Sequence, residues 1–167
     1  NYRLVKNNAN HIWLESFDGN TVINNWIATQ WELRNPDVPG YVEGGPITDP
    51  TVNNAMIRLT SWVESCRTGA TNFNNTFADY IDLSNWIDYL LFTELTYNTD
   101  GLVNNYQLIT HDALKWWIYP YDTDLTLGYT FAAAPDNNIT LRAIDKRSHT
   151  LLNLINANQM QAIKQRY

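Results

Sequence analysis

Cysteine occurs once in these 167 residues, as Cys66, so no internal disulfide can hold the chain together. On the apolar side of a predicted helix, that thiol reads as a small core residue. Long hydrophobic runs are also lacking: none approaches the ~20 residues that cross a bilayer, so no membrane span is expected. Positive charge is scarce. Eleven Lys and Arg face 17 Asp and Glu, a net charge of −6, and no basic run exists to neutralise phosphates, which excludes a nucleic-acid surface. The three histidines, His11, His111 and His149, lie far apart without metal-ligand spacing, so no zinc centre is expected. Neither an internal repeat nor a Gly-x-Gly-x-x-Gly loop occurs. The chain opens at Asn1 without a methionine or a signal-peptide pattern, and it is expected to be part of a longer protein whose targeting segment lies elsewhere.

What remains is an aromatic, asparagine-rich chain of one-domain size, long enough for a good core. Its first 35 residues read as short strands at 2–5, 11–15 and 21–23, the last two joined by the turn Asp18-Gly19-Asn20, with a further strand within 24–33. Residues 35–50 hold four of the six prolines and three of the seven glycines, which marks an irregular connection. Asp49-Pro50 then starts a helix over 51–69, on which Ala55, Met56, Leu59, Trp62, Val63 and Cys66 recur at three- and four-residue steps before Gly69. An Asn-rich loop or single turn at 70–78 leads to a second helix over 83–97, capped by Ser84, with Trp86, Ile87, Leu90, Leu91 and Leu95 as its buried stripe. Leu95 and Tyr97 are read as core. Ser148 is expected to cap one last helix carrying Leu151, Leu152, Leu154, Ile155, Met160 and Ile163. The pattern is α+β.

The densest chemistry lies between Glu94 and Gly128. The second helix ends in a loop with Asp100, and Asn105 follows at an Asp-x-x-x-x-Asn spacing. Residues 105–109 and 115–121 alternate like two strands around His111-Asp112-Ala113-Leu114, giving a hairpin over 104–121 that Asp122-Thr123-Asp124 closes. The spacing alone is common: with 12 Asp and 22 Asn in the chain, Asp49 and Asn54 share it by chance. The order helix, Asp, Asn, hairpin, Asp-x-Asp carries the reading. That order is the one in which protein kinases present a substrate-orienting Asp, a metal-binding Asn and a second metal-binding Asp. Asn105, Asp122 and Asp124 are therefore candidate magnesium ligands, and Asp100 the candidate catalytic residue. Oxygen donors are the kind magnesium prefers, and a metal would offset the repulsion among the three carboxylates. The plainer alternatives stay open on pattern alone. Asp100 can be a turn residue within Asn98-Thr99-Asp100-Gly101, and Asp122 to Asp124 a loop cap.

These residues resemble the CotH kinase family, the spore-coat-protein-H-like atypical kinases. The likeness rests on Glu94-Leu95-Thr96-Tyr97-Asn98-Thr99-Asp100-Gly101, on Asn105-Tyr106, and on Trp117 to Asp124 with Gly128. The family pattern is roughly E-L-x-x-N-x-D, then N-x-Y, then P-W-D-x-D, and Tyr121 stands here where the family has Trp. Trp31-Glu32-Leu33-Arg34-Asn35-Pro36-Asp37 resembles the family's E-L-(K/R)-x-P-(D/E) segment. The resemblance covers nearly the whole chain.

What the resemblance implies is a kinase-like C-terminal lobe, its helices packed on the catalytic-loop hairpin. Residues 1–35 would be the remnant of a smaller β lobe and 36–50 the connection. It implies ATP and Mg2+ as cofactors, a protein hydroxyl as substrate, and Asp122 on the metal with Asp124 assisting or bonded within the loop. It also points to an extracellular, cell, spore or virion surface. The phosphate-binding lysine and its glutamate partner are expected upstream of Asn1, since Lys6 reads as a solvated loop lysine, so the chain alone is expected to be inactive. Glu94 is expected to be a buried hydrogen-bonding acid beside the loop. Two other readings are a catalytically silent surface or virion assembly module, and a carbohydrate-binding face using Trp13, Trp26 or Trp31.

Overall fold

Period-2 alternation places Ile12 and Leu14, Tyr106 and Leu108, and Trp116 and Ile118 on one side of their strands, and all six are buried to 1 % exposure or less. The strands are β1 (Ile12–Ser16), β2 (Trp31–Asn35), β3 (Tyr106–Thr110) and β4 (Trp116–Pro120), joined in one antiparallel sheet of order β2-β1-β3-β4. Leu14 pairs with Leu108, and Leu108 with Ile118, so the apolar side chains line up across the sheet. The structure, a computed structural model, describes residues 10–16, 23–98, 101, 104–123, 126 and 149–166.

The helices cover the apolar face. Helix α1 (Pro50–Arg67) begins as expected, with Asp49 Oδ1 accepting from Val52 N–H at 3.0 Å and Pro50 in its first turn. Its predicted stripe from Ala55 to Cys66 is buried throughout. Burial pushes the Cys66 thiol up, as suits an inert core residue. The Asn-rich segment after it forms the short helix α2 (Phe73–Thr76) and a 3-10 turn at Phe77–Asp79. Trp62 stacks on Tyr80 at 4.6 Å and on Phe73 at 5.6 Å, which ties these turns to α1. Helix α3 (Leu83–Thr96) lies along β4, and α4 (Thr150–Asn158) packs against α1 and α3.

Both outer edges of the sheet are closed. On β4, Trp116 N–H donates to Tyr80 O at 2.9 Å and Ile118 N–H to Asn85 Oδ1 at 2.7 Å. On β2, Leu33 N–H donates to the Tyr41 hydroxyl at 3.0 Å, so the 36–50 connection folds back onto its own strand. Covered edges remove a template for pairing with other chains.

Several local expectations are corrected. The cap of α3 is Asp82, which accepts from Asn85 N–H at 3.0 Å, and Ser84 falls inside the first turn. Leu95 is 60 % exposed: it follows Leu91 along the flank of the stripe and stands half a turn around the helix from Trp86. The last helix is two, α4 and α5 (Met160–Arg166), broken at Gln159, and Met160 is exposed. Its cap is His149, whose Nδ1 accepts from Leu152 N–H at 3.2 Å, while Ser148 lies outside the described residues. Ile23, the last residue of the strand expected at 21–23, sits in a turn, while residues 21 and 22 lie outside the described residues. The strand expected at 2–5 and the turn at 18–20 lie outside the described residues.

Candidate functional site

The hairpin brings Asn105 and Asp122 to one end of the sheet. Tyr106 pairs with Pro120 as the last rung, and beyond it Tyr121 N–H donates to Asn105 O at 3.0 Å. Asn105 thus sits just before β3 and Asp122 one residue past that closing bond. Both have left-handed backbones, at φ 53° for Asn105 and 45° for Asp122. Asn and Asp tolerate that region better than other side chains, yet it still costs about 1 kcal/mol each, and such strain concentrates at functional sites. Asp122 is exposed and Asn105 half-buried.

The other two predicted site residues, Asp100 and Asp124, lie outside the described residues; nearby, Tyr97, Asn98 and Gly101 are described and are tied to α3. Tyr97, the residue after α3, is left-handed at φ 51°. Its N–H donates to Glu94 O, and Asn98 N–H to Thr93 O at 2.9 Å, which closes the helix end. Asn98 is fully buried and its Oδ1 accepts from Gly101 N–H at 2.9 Å, while the Tyr89 hydroxyl donates to Gly101 O at 2.5 Å.

On the sheet face away from the helices lies a charged group of which only the motif residues Glu32 and Arg34 stand out in the sequence. Glu15 pairs with Glu32 on one side and with Gln107 on the other, and all three are buried. Two carboxylates directly opposite repel, and Arg34 offsets this by reaching both. Its Nε and Nη2 donate to the Glu15 oxygens at 3.0 and 3.2 Å, Nη2 also to Glu32 at 2.5 Å, and Nη1 to Glu43 at 2.6 Å. Burial raises the Glu32 carboxyl above its ordinary range despite Arg34, whereas the guanidinium holds exposed Glu43 low. Gln107, two residues after Asn105, donates to Glu15 at 3.3 Å and so ties the start of β3 into the group. The available signal was period 2: Glu32 and Arg34 alternate with Leu33 along their strand, as do Glu15 and Gln107 along theirs.

Other expectations shift. Register puts Ile12 opposite Thr110, so His11 and His111, distant in sequence, stand with ring centroids 5.1 Å apart. Glu94 is half-buried. Trp31 is only 2 % exposed and can offer no stacking platform, and Trp26 is half-buried with its Nε1 donating to Asn53 Oδ1 at 2.8 Å.

The donor set fits magnesium. A carboxylate and an amide carbonyl are hard oxygen ligands on a rigid hairpin end, and magnesium takes one or two protein oxygens beside water and phosphate. Among the described residues no group of three His, Cys, Asp or Glu side chains could hold a metal without such help. Comparison with protein families finds a match to the model described as CotH kinase protein over residues 6–165. No curated protein matches the chain.

Proposed function

This chain belongs to the CotH kinase family, and we propose that it carries the metal-binding half of a site for magnesium-ATP-dependent phosphoryl transfer to a protein hydroxyl. The observation that carries the reading is the hairpin end, where Tyr121 N–H bonds to Asn105 O and two strained, oxygen-bearing residues flank that bond. Asp122 is the main metal ligand and Asn105 the second, with Asp124 assisting. Bound magnesium supplies charge that screens the phosphate oxygens as the γ-phosphoryl moves. Asp100, which follows α3 in the sequence, orients the acceptor hydroxyl and accepts its proton.

The triphosphate also needs a protein cation. Arg34 does not serve, because its fork is already shared among Glu15, Glu32 and Glu43. Lys6, the other candidate for that role, lies outside the described residues. Family membership, acidity and the asparagine-rich composition support a place at a cell, spore or virion surface.

The test is transfer of labelled γ-phosphate to an acceptor protein by the complete protein and by its Asp122→Asn variant. Loss of a charge clamp of this kind costs about 3–4 kcal/mol of transition-state stabilisation, a rate fall of some hundredfold or more. Equal labelling by the two proteins contradicts the assignment.

A further inference from the structure

Residues 24–26 run lengthwise beside α1. Trp26 Nε1 donates to Asn53 Oδ1 at 2.8 Å near the start of the helix, and Asn24 Nδ2 approaches Glu64 Oε2 at 3.5 Å, about three turns further on. Along this line opens a cleft of about 510 Å3, within the size range of small-molecule sites. Its helix wall follows from periodicity. Ile57, Ser61, Glu64 and Thr68 recur at three- and four-residue steps, on the side of α1 turned away from its buried stripe. From Ile57 to Thr68 that wall is about 16 Å long.

The lining is amphipathic. Trp26 is half-buried and Ile57 exposed, and Asn53, which holds the indole N–H, stands one turn before Ile57 on the helix. The bond fixes the ring, and a fixed indole offers contact area at little cost in entropy. Asn25 and Ser61, both exposed, add an amide and a hydroxyl, each able to donate and to accept. Glu64 is the one charged residue of the lining. Arg67 takes both of its oxygens, at 2.7 and 2.5 Å, and holds its carboxyl below the ordinary range. An anionic ligand would meet that carboxylate, while the guanidinium beside it is already forked onto Glu64. A purely apolar ligand would strip water from the amide and the hydroxyl without replacing their hydrogen bonds. A sugar matches both halves of the lining, with C–H faces for Trp26 and Ile57 and hydroxyls for Asn25 and Ser61.

We propose that this cleft binds a neutral oligosaccharide, packed on Trp26 and Ile57 and hydrogen-bonded through Asn25 and Ser61. The length of the wall suits more than one sugar ring. The cleft shares no residue with the hairpin end, so it stands or falls independently of phosphoryl transfer.

The complete protein is titrated calorimetrically, to millimolar concentration, with three neutral probes (cellohexaose, maltohexaose and the hexamer of N-acetylglucosamine) and with heparin as an anionic one. At least one neutral probe should bind saturably, and heparin should not displace it. Trp26→Ala should weaken that binding on the order of tenfold, and Ile57→Ser and Asn25→Ala about threefold each. The last two change exposed positions, where substitutions leave folding nearly untouched, so they decide the matter even where Trp26→Ala fails to fold. Failure of all three neutral probes to bind overturns the proposal. So does binding that Ile57→Ser and Asn25→Ala leave unchanged, or heparin bound in preference to the sugars.

Discussion

Fully buried His149 accepts the Leu152 N–H at Nδ1, which leaves its proton on Nε2. Its ring stands 5.5 Å from that of Tyr106 and 6.2 Å from that of Trp86. Burial pulls its pKa down to about 3. The unfolded chain binds a proton at the ordinary value near 6.5, so between those two pH values the unfolded state holds more protons. The neutral ring's contribution is therefore complete above pH 6.5 and is lost as pH falls toward 3. By pH 4 the loss is about 3 kcal/mol. Thermal melts from pH 7 to pH 4 should show a steeper fall for the wild type than for His149→Asn, which can still cap α4, and parallel curves would contradict this. The caps show where sequence reading stops at this scale. Ser84 and Ser148 carry good cap chemistry, but a cap needs extended backbone just before the helix, and Asp82 and His149 have it. Imidazole at that position gives no sequence signal.

Strand β2 carries a bulge: Trp13 pairs with Asn35 and Leu14 with Leu33, which leaves Arg34 as the extra residue. The bulge lets a strand residue turn its fork to three carboxylates at once. Removing the cation leaves Glu15 and Glu32 buried and opposed. Arg34 is one-third exposed, so the Arg34→Ala cost is placed below that of a fully buried pair, at about 2 kcal/mol. Urea unfolding at pH 7 measures it. The deficit should shrink as pH falls and the Glu32 carboxyl, already raised by burial, takes up a proton, and a cost that is absent or independent of pH speaks against the network. The elements themselves were legible in the sequence. Three-four periodicity located α1 and α3 within a few residues, and alternation located the hairpin. Leu95 and Met160 were misplaced because apolarity was read without following the angle around the helix.

At the scale of the molecule, the sheet order was the part the sequence hid. β1 lies between β2 and β3, joined to a strand more than ninety residues later, so the N-terminal strands and the hairpin share one core. Alternation says which face of a strand is buried but not which strand lies beside it, and for the same reason the row Glu32, Glu15, Gln107 was invisible before pairing was known. The end of the hairpin was legible, because Asn105 and Asp122 depend only on a local turn. The account turns on those two residues sharing one metal, and titration of the complete protein with Mn2+ in the presence of ATP, followed by electron paramagnetic resonance, reads this directly. Asp122→Asn and Asn105→Ala should each weaken Mn2+ binding at least tenfold. Asp112→Asn should leave it unchanged, since Asp112 sits in the turn at the opposite end of the hairpin. Wild-type affinity in the Asp122 and Asn105 variants would contradict the account.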